Sequence, residues 1–223
     1  MGIVPAMRVG VLGTGVVGQT IATKLVELGD EVTMGARDAG NEKAAAWAEG
    51  TGERARAGTF SDAAAFGELV VNATLGAGSL AALEAAGSGN LAGKVLVDIS
   101  NSLDFSAGFP PTLTVVNTDS LGEQIQAAHP EARVVKTLNT MNADVMVNPG
   151  LVPGIHAAFV CGNDVGAKSE VAALLGRFGW PAEAIIDLGD ITNARGPEMY
   201  LALWIRLYGA VGTPHFNIAV VRG

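Results

Sequence analysis

The chain has 223 residues, a formal net charge of −8, and a composition that is 49% hydrophobic and 16% charged. A chain of this length buries one sizeable core, so we expect a single domain and no large second catalytic domain. The negative charge disfavours nucleic acid as a partner, because phosphate neutralisation requires clustered Lys and Arg. No apolar run reaches the ~20 residues that span a bilayer, so we predict no membrane partner. The presence of a single cysteine fits a reducing compartment, so we predict a cytoplasmic protein.

Few side chains are suited to metal or thiol chemistry. Cys161 is the single cysteine, which excludes an intramolecular disulfide and a multi-cysteine metal site. We interpret it as a buried thiol within a strand. His129, His156 and His215 are far apart in sequence and lack ligand spacing, so we expect no metal site.

The first half of the chain alternates short apolar runs with helical patterns. Residues 7–12 form an apolar run that ends at Gly13, and residues 17–28 have helical spacing and end at Gly29. Further strands are predicted at 31–34, 69–74 and 94–99, and a helix at 41–49. Strands alternating with helices predict a Rossmann-type α/β fold with a doubly wound, mainly parallel sheet.

The second half begins with a loop over residues 102–114, which contains Gly108 and the pair Pro110-Pro111. Loops of this length often cover ligands. Strands are predicted at 133–137, 157–161 and 184–188, and a helix at 165–178. Pro197 opens an apolar helix to about Gly209, followed by an extended tail. We therefore divide the domain into a Rossmann core (7–150), a continuation of the sheet (151–191) and a C-terminal helical lobe with its tail (192–223).

A glycine-rich turn follows the first predicted strand. Gly13, Gly15 and Gly18 have the spacing G-x-G-x-x-G between a strand and a helix, the context in which this spacing indicates a dinucleotide site. The first glycine permits the tight turn, the second lets backbone approach the pyrophosphate, and the third lets the helix pack on the strand. The predicted cofactor-binding residues of the turn are Gly13, Thr14, Gly15, Val16, Val17 and Gly18.

The end of the second strand indicates which dinucleotide binds. An NAD site usually has Asp or Glu there, which binds the ribose 2′-hydroxyl. This chain has Ala36 and Arg37, and a guanidinium can pair bidentately with a 2′-phosphate. The two residues therefore predict NADP(H), the alternative being that Arg37 is a solvated turn residue. We interpret Asp38 as a helix N-cap.

Three predicted strands end in polar segments, where ligands of open α/β sheets bind. The residues concerned are Thr74 and Leu75, Ser100 and Asn101, and Asn139 and Asn142. They could converge on one crevice. The alternative is that the Ser and Asn residues only cap helices and turns.

Charged residues near these strand ends have no evident partner. Asp98 lies inside an apolar strand and Asp144 in a predicted helix, and nothing in the sequence pairs them, so we assign no catalytic residue. Lys136 could contact a substrate or phosphate, and a structural ion pair is the equal alternative. Hydride transfer between two organic cofactors depends on ring alignment more than on a protein base, so an oxidoreductase is not excluded.

The C-terminal segment is rich in large apolar side chains. Its prominent residues are Trp204, Leu207, Tyr208, Pro214, His215 and Phe216. We expect them to pack in the core or in a subunit interface. The alternative is that part of the segment forms one wall of a second ligand's pocket.

With these residues in view, the chain resembles the coenzyme-F420-dependent NADP oxidoreductases and related NADP-binding proteins, including the oxidoreductase domain of the STEAP metalloreductases. The resemblance runs from about Met7 to Val221. The stretches that carry it are residues 12–18, 34–37, 97–101, 135–140, 160–164 and 194–199. It implies a homodimer in which F420, a deazaflavin, and NADP(H) exchange a hydride across a shared cleft.

The resemblance also implies roles for individual residues. The turn would hold the pyrophosphate through Thr14, Val16 and Val17, and Ala36 and Arg37 would meet the 2′-phosphate. The nicotinamide side and the cleft would be formed by Thr74, Leu75, Asn139 and Ala143. The deazaflavin would bind beside Ser100, Asn101 and Asn142 and the C-terminal segment.

Two positions depart from the family pattern. Ser102 stands where members often have proline, and Ala36 offers no hydroxyl to the 2′-phosphate. The chain also has no basic cluster for the polyanionic tail of F420. Two alternative functions are an NADPH-dependent reductase of flavin or ferric chelates and a non-catalytic NADP(H) sensor. A hydroxy acid or imine dehydrogenase normally has a longer C-terminal helical domain.

Overall fold

The computed structural model describes residues 6–221 and 223. Over these residues the strands are β1 (Arg8–Leu12), β2 (Glu31–Ala36), β3 (Ala55–Thr59), β4 (Leu69–Asn72), β5 (Val95–Asp98), β6 (Leu103–Asp104), β7 (Thr112–Leu113), β8 (Arg133–Thr137), β9 (Ala158–Cys161) and β10 (Ile185–Asp187). The α-helices are α1 (Val16–Glu27), α2 (Glu42–Thr51), α3 (Phe60–Phe66), α4 (Gly76–Ala86), α5 (Ser88–Leu91), α6 (Leu121–Ala128), α7 (Ala143–Val147), α8 (Val165–Phe178), α9 (Arg195–Met199) and α10 (Leu201–Val211).

One sheet contains eight of these strands, in the order β10-β9-β8-β5-β4-β1-β2-β3. Its neighbours pair in parallel, except that β8 and β9 are antiparallel. The chain builds outward from β1 through β2 and β3, then returns to β4 on the other side of β1. A crevice opens at the carboxyl ends of strands where the order reverses in this way. The predicted Rossmann-type, mainly parallel fold is confirmed.

Helices cover both faces of the sheet, so the central strands are apolar on both sides. One face packs Val9, Val11, Val71, Val97 and Val135 against α1, α7 and α8. The opposite face packs Leu12, Val70, Leu96 and Val134 against α3, α4 and α6. Alternate residues of each strand therefore belong to different layers of core.

The sequence patterns missed β3 and the helices α3, α4, α5 and α6. α3 has three consecutive alanines among its seven residues, and α4 consists largely of alanine and glycine, so their buried faces show little contrast with their exposed faces. β3 lies at the sheet edge, where Arg56 and Ala57 are exposed. Its sequence therefore lacks the apolar run that marks the central strands.

Two predicted helix starts were wrong. Asp38 does not cap α2, because Asn41 does so by accepting a hydrogen bond from the Ala44 amide at 3.0 Å. Pro197 does not open the C-terminal helix, since α9 begins two residues earlier at Arg195 and the helical run is interrupted at Tyr200.

The two irregular segments are held by backbone hydrogen bonds. The loop over residues 102–114 contains an antiparallel ribbon of β6 and β7, separate from the main sheet. The tail after α10 runs beside β9, where the Ala157 amide donates to the Ile218 carbonyl at 2.8 Å. The division of the chain at residues 150 and 191 stays a prediction.

Candidate functional site

The turn between β1 and α1 has the geometry that dinucleotide binding requires. Gly13 has φ +117°, a conformation that residues with side chains rarely adopt. A Cβ on Gly18 would collide with the Gly13 carbonyl oxygen, so this glycine allows the close packing of α1 on β1. A Cβ on Gly15 would meet nothing within 4 Å. Gly15 therefore faces open space, where a ligand can approach the backbone.

The N-terminus of α1 is suited to an anion. Gly15 is its N-cap and supplies no side-chain cap, and the first turn has no acidic residue. The Val16 side chain is 75% exposed, and Thr14 and Val17 are partly exposed. Because first-turn amides and the helix dipole attract negative charge, these residues fit a pyrophosphate group.

Arg37 supplies an exposed positive charge beside this turn. It follows β2 directly, and the Gly13 amide donates to the Gly35 carbonyl at 3.0 Å, which ties the two segments together. The guanidinium forms no ion pair within residues 6–221. Ala36 is only 3% exposed, so its side chain offers little surface to a ligand and the charge of Arg37 is the prominent feature here.

A row of buried polar residues crosses the carboxyl edge of the sheet. Asn72, Asp98 and Lys136 are register partners on β4, β5 and β8, and none is more than 1% exposed. Asp98 Oδ1 accepts from the Asn72 side-chain amide at 2.9 Å and from the Ser100 hydroxyl at 2.6 Å. Asp98 Oδ2 accepts from Lys136 Nζ at 2.7 Å. These bonds offset the cost of burying the groups.

Glu198 completes the row from the C-terminal lobe. Its Oε1 lies 2.8 Å from Lys136 Nζ, and its two carboxylate oxygens accept from the Leu121 and Gly122 amides at the N-terminus of α6. Burial alone would lower the pKa of Lys136, but the carboxylates of Asp98 and Glu198 hold it above its ordinary value. Two roles were open for Lys136, a contact with a substrate or phosphate and a structural ion pair. The structure shows the ion pair. Sequence reasoning missed Glu198, although residues 194–199 belong to the family resemblance.

The ends of β5 and β8 meet beside this row. Asn101 Nδ2 donates to the Asn139 carbonyl at 3.0 Å, and Asn139 Nδ2 donates to Asn101 Oδ1 at 2.9 Å. Asn101 is partly exposed, whereas Ser100 is 3% exposed. Asn142 caps α7 by accepting from the Asp144 amide at 2.9 Å. The capping alternative thus applies to Asn142, while Asn101 joins two strand ends.

The C-terminal tail lies against α7 on the same side of the strand ends. His215 Nε2 is 3.2 Å from Asp144 Oδ2, and the Trp204 ring stacks on Phe216 with 5.3 Å between centroids. Ala143 is 5% exposed. Asp98 and Asp144 have separate partners, so the structure does not make them an acid/base pair.

Cys161 is buried at the end of β9, and burial raises the pKa of its thiol to about 12. Its interpretation as a buried strand thiol is confirmed. Across the described residues, no group of three His, Cys, Asp or Glu side chains could hold a metal ion. In the same part of the chain, no helix is both long and apolar enough to cross a membrane.

The strand order, the glycine turn and the N-terminus of α1 define a Rossmann-type protein of the dinucleotide-binding class. The sequence model of the family described as "NADP oxidoreductase coenzyme F420-dependent" matches residues 8–102. A solved structure from Arthrobacter sp. FB24, provisionally named an F420-dependent NADP reductase, is 56% identical and has a TM-score of 0.91. That match covers 97% of this chain and 100% of the other. The chain therefore belongs to this family of NADP-dependent oxidoreductases and is an enzyme.

More distant relatives share part of their length with this chain. Rat metalloreductase STEAP3 is 28% identical over 193 residues, which is 86% of this chain and 36% of STEAP3. A reductive aminase from Aspergillus terreus, solved with NADPH and ethyl levulinate, is 22% identical with a TM-score of 0.66. The match covers 93% of this chain and 63% of the aminase. At this identity the similarity shows the fold alone.

Proposed function

We propose that this enzyme transfers a hydride between NADP(H) and coenzyme F420, a deazaflavin. The assignment of NADP(H) as one of the two ligands rests on the exposed Arg37, which follows β2 directly. An NAD site usually has a carboxylate in this place. The F420 half is supported by the family membership and by the 56% identical protein named for this cosubstrate.

In this proposal the chain's own residues bind and orient the two ligands. The cofactor-binding residues are Gly13, Thr14, Gly15, Val16, Val17, Gly18, Ala36, Arg37, Thr74, Leu75, Asn139 and Ala143, and the substrate-side residues are Ser100, Asn101 and Asn142. When bound, the two ligands supply the hydride donor and the hydride acceptor. The protein contributes alignment, since rings held in contact geometry react far faster than free ones. Among the substrate-side residues, Asn101 and Asn142 are partly exposed, whereas Ser100 is buried.

The direct test mixes purified protein with NADPH and oxidised F420 and follows NADPH absorbance together with the F420 band. We expect both ligands to be consumed together. Arg37→Ala should lower kcat/KM for NADPH about ten- to hundredfold, because a hydrogen bond to a charged group contributes about 1.5–3 kcal/mol. The same variant should leave kcat/KM for NADH unchanged, since NADH has no 2′-phosphate.

Arg54→Ala is the matched control. Arg54 is also exposed, but it precedes β3 and so lies at the amino edge of the sheet. Its removal should not alter the preference for NADPH over NADH. If Arg37→Ala and Arg54→Ala behaved alike, the assignment of the 2′-phosphate site would be wrong.

A second candidate is an NADPH-dependent reductase of free flavin or ferric chelates, which the similarity to STEAP3 favours. FMN and a ferric chelate therefore belong in the same assay. Turnover with either of them, and none with F420, would replace the first proposal. Binding of NADPH without turnover of any acceptor would favour a sensor.

We also propose that the enzyme is a cytoplasmic homodimer that acts on a small-molecule redox partner. Leu203 and Val211 of α10 are 55% and 53% exposed, and large apolar side chains left exposed on one helix are candidates for a contact surface. The single buried thiol suits a reducing compartment. Sedimentation equilibrium measures the oligomeric mass directly.

A further inference from the structure

The buried polar row reaches the crevice at Thr74. This residue follows β4 and is partly exposed, and its hydroxyl lies 2.7 Å from Asn72 Oδ1 and 2.8 Å from Ser79 Oγ. Each hydrogen bond needs one donor and one acceptor. The groups at the buried end of the row therefore decide where the hydroxyl hydrogen of Thr74 points.

The Asn72 side chain can take only one orientation. Asp98, the ion-pair partner of Lys136, accepts hydrogen bonds, so the Asn72 atom 2.9 Å from its Oδ1 must be the NH2 nitrogen. On the other side, the Thr74 backbone amide can only donate, and it lies 3.3 Å from Asn72 Oδ1. Two independent neighbours thus require the same orientation.

The directions of the hydroxyl groups follow from this orientation. Asn72 Oδ1 can only accept, so the single hydroxyl hydrogen of Thr74 points to it. Asn72 Nδ2 donates to Ser79 Oγ at 3.3 Å, and the Ser79 hydroxyl in turn donates to Thr74 Oγ1. One lone pair of Thr74 Oγ1 is left. Towards any ligand in the crevice, this oxygen can act only as an acceptor.

We propose that Thr74 Oγ1 is a preset hydrogen-bond acceptor for the carboxamide NH2 group of the nicotinamide. The inference rests on the proposed function, because the carboxamide is present only when NADP(H) binds in this crevice. An acceptor whose direction is fixed before binding orients the carboxamide, and with it the ring, at a smaller entropic cost. Thr74 is thus a specificity residue, and Asn72 and Asp98 act through it.

The test compares the dissociation constants of NADP⁺ and its 3-acetylpyridine analogue, in which a methyl group replaces the carboxamide NH2, by isothermal titration calorimetry. The wild type should bind the analogue about five- to tenfold more weakly, because the acceptor then faces a methyl group. Thr74→Val keeps the shape and removes the acceptor, so the two ligands should bind within about twofold of each other. Thr74→Ser restores the hydroxyl and should restore the discrimination.

The outcomes separate this inference from the proposed function. If the wild type bound neither ligand, the NADP(H) proposal itself would fail. If it bound NADP⁺ but Thr74→Val kept the wild-type discrimination, only the role of Thr74 would be overturned. Equal weakening of both ligands by Thr74→Val would assign the hydroxyl to another group of the cofactor and would overturn the inference as well.

Discussion

At the residue scale, the three glycines of the turn are required for different physical reasons, although the sequence pattern treats them alike. Gly13 needs a left-handed φ, and Gly18 has no room for a Cβ. Gly15 has ordinary extended angles, φ −77° and ψ 179°, and open space around it. We therefore propose that Gly15 is the glycine whose missing side chain serves a ligand rather than the fold.

This difference predicts opposite outcomes for one chemical change. Gly18→Ala should lower the free energy of unfolding by about 1–3 kcal/mol, because the added methyl group overpacks the turn. Gly15→Ala should stay within about 0.5 kcal/mol of the wild type, yet weaken NADPH binding at least about tenfold by displacing the pyrophosphate from the backbone. Urea unfolding and a fluorescence titration with NADPH measure the two effects.

Gly50→Ala provides the control, because Gly50 is exposed in α2 and a Cβ on it would meet nothing within 4 Å. It should leave NADPH binding unchanged and stabilise the protein by up to about 1 kcal/mol, as alanine has the higher helix propensity. Normal NADPH binding by Gly15→Ala would count against the proposed pyrophosphate site.

At the element scale, the sequence predicts those elements whose burial is visible in their own residues. The bounds predicted for β8 (133–137) and α8 (165–178) coincide with the structure. β8 has the adjacent buried valines Val134 and Val135 at its centre, and α8 is a capped amphipathic helix. The antiparallel direction of β9 was not predictable, since strand periodicity carries no direction. The short α3, with its run of three alanines, and the glycine- and alanine-rich α4 gave no periodic signal.

The candidate site divides in the same way. Local sequence located the glycine turn and Arg37, because each occupies a fixed place after its strand. Local sequence could not identify Glu198 as a partner of Lys136, because the two residues are distant in the chain. The contact of Glu198 with α6 likewise spans 77 residues. The sequence indicated only that Glu198 is a carboxylate within an apolar helical segment. Its contacts are visible only in the folded structure.

Glu198 joins β8, α6 and α9, so we expect Glu198→Gln to destabilise more than an isolated surface change. The substitution keeps the shape but removes the charge that faces Lys136, and we expect a loss of about 1–3 kcal/mol in the free energy of unfolding. Glu183→Gln makes the same chemical change at an exposed position and should stay within about 0.5 kcal/mol of the wild type. Equal effects of the two variants in urea unfolding would show that the buried charge is unimportant.

At the scale of the whole molecule, stability depends on pH through groups whose pKa is lower in the folded protein than in the unfolded chain. The Arg195 side chain lowers the pKa of Glu123 below 4.5, and the Arg133 side chain lowers that of Asp164 below 3.8. As the pH falls below these ordinary values, the unfolded chain binds protons first, so the stabilisation present at higher pH is lost in acid. The pKa values of these two carboxyl groups are too low for their titration to change stability near neutral pH.

His129 is expected to affect stability at a higher pH than these carboxyl groups do. It is 2% exposed, its Nδ1 lies 3.1 Å from Ser88 Oγ, and burial lowers its pKa below the ordinary 6.5. Between the folded and unfolded pKa values only the unfolded chain is protonated, so His129 stabilises the fold above pH 6.5 and loses this contribution as the pH falls.

The variant His129→Asn keeps a side-chain acceptor beside Ser88 but cannot bind the proton. In the wild type the free energy of unfolding should fall between about pH 7.5 and 5.5, and one proton limits this contribution to about 1.4 kcal/mol per pH unit. The fall should therefore be smaller in His129→Asn. His215→Asn removes a side chain that is 40% exposed and serves as the comparison. Urea unfolding at both pH values measures the slopes, and a slope in His129→Asn as steep as in the wild type would show that the folded protein already accommodates protonated His129.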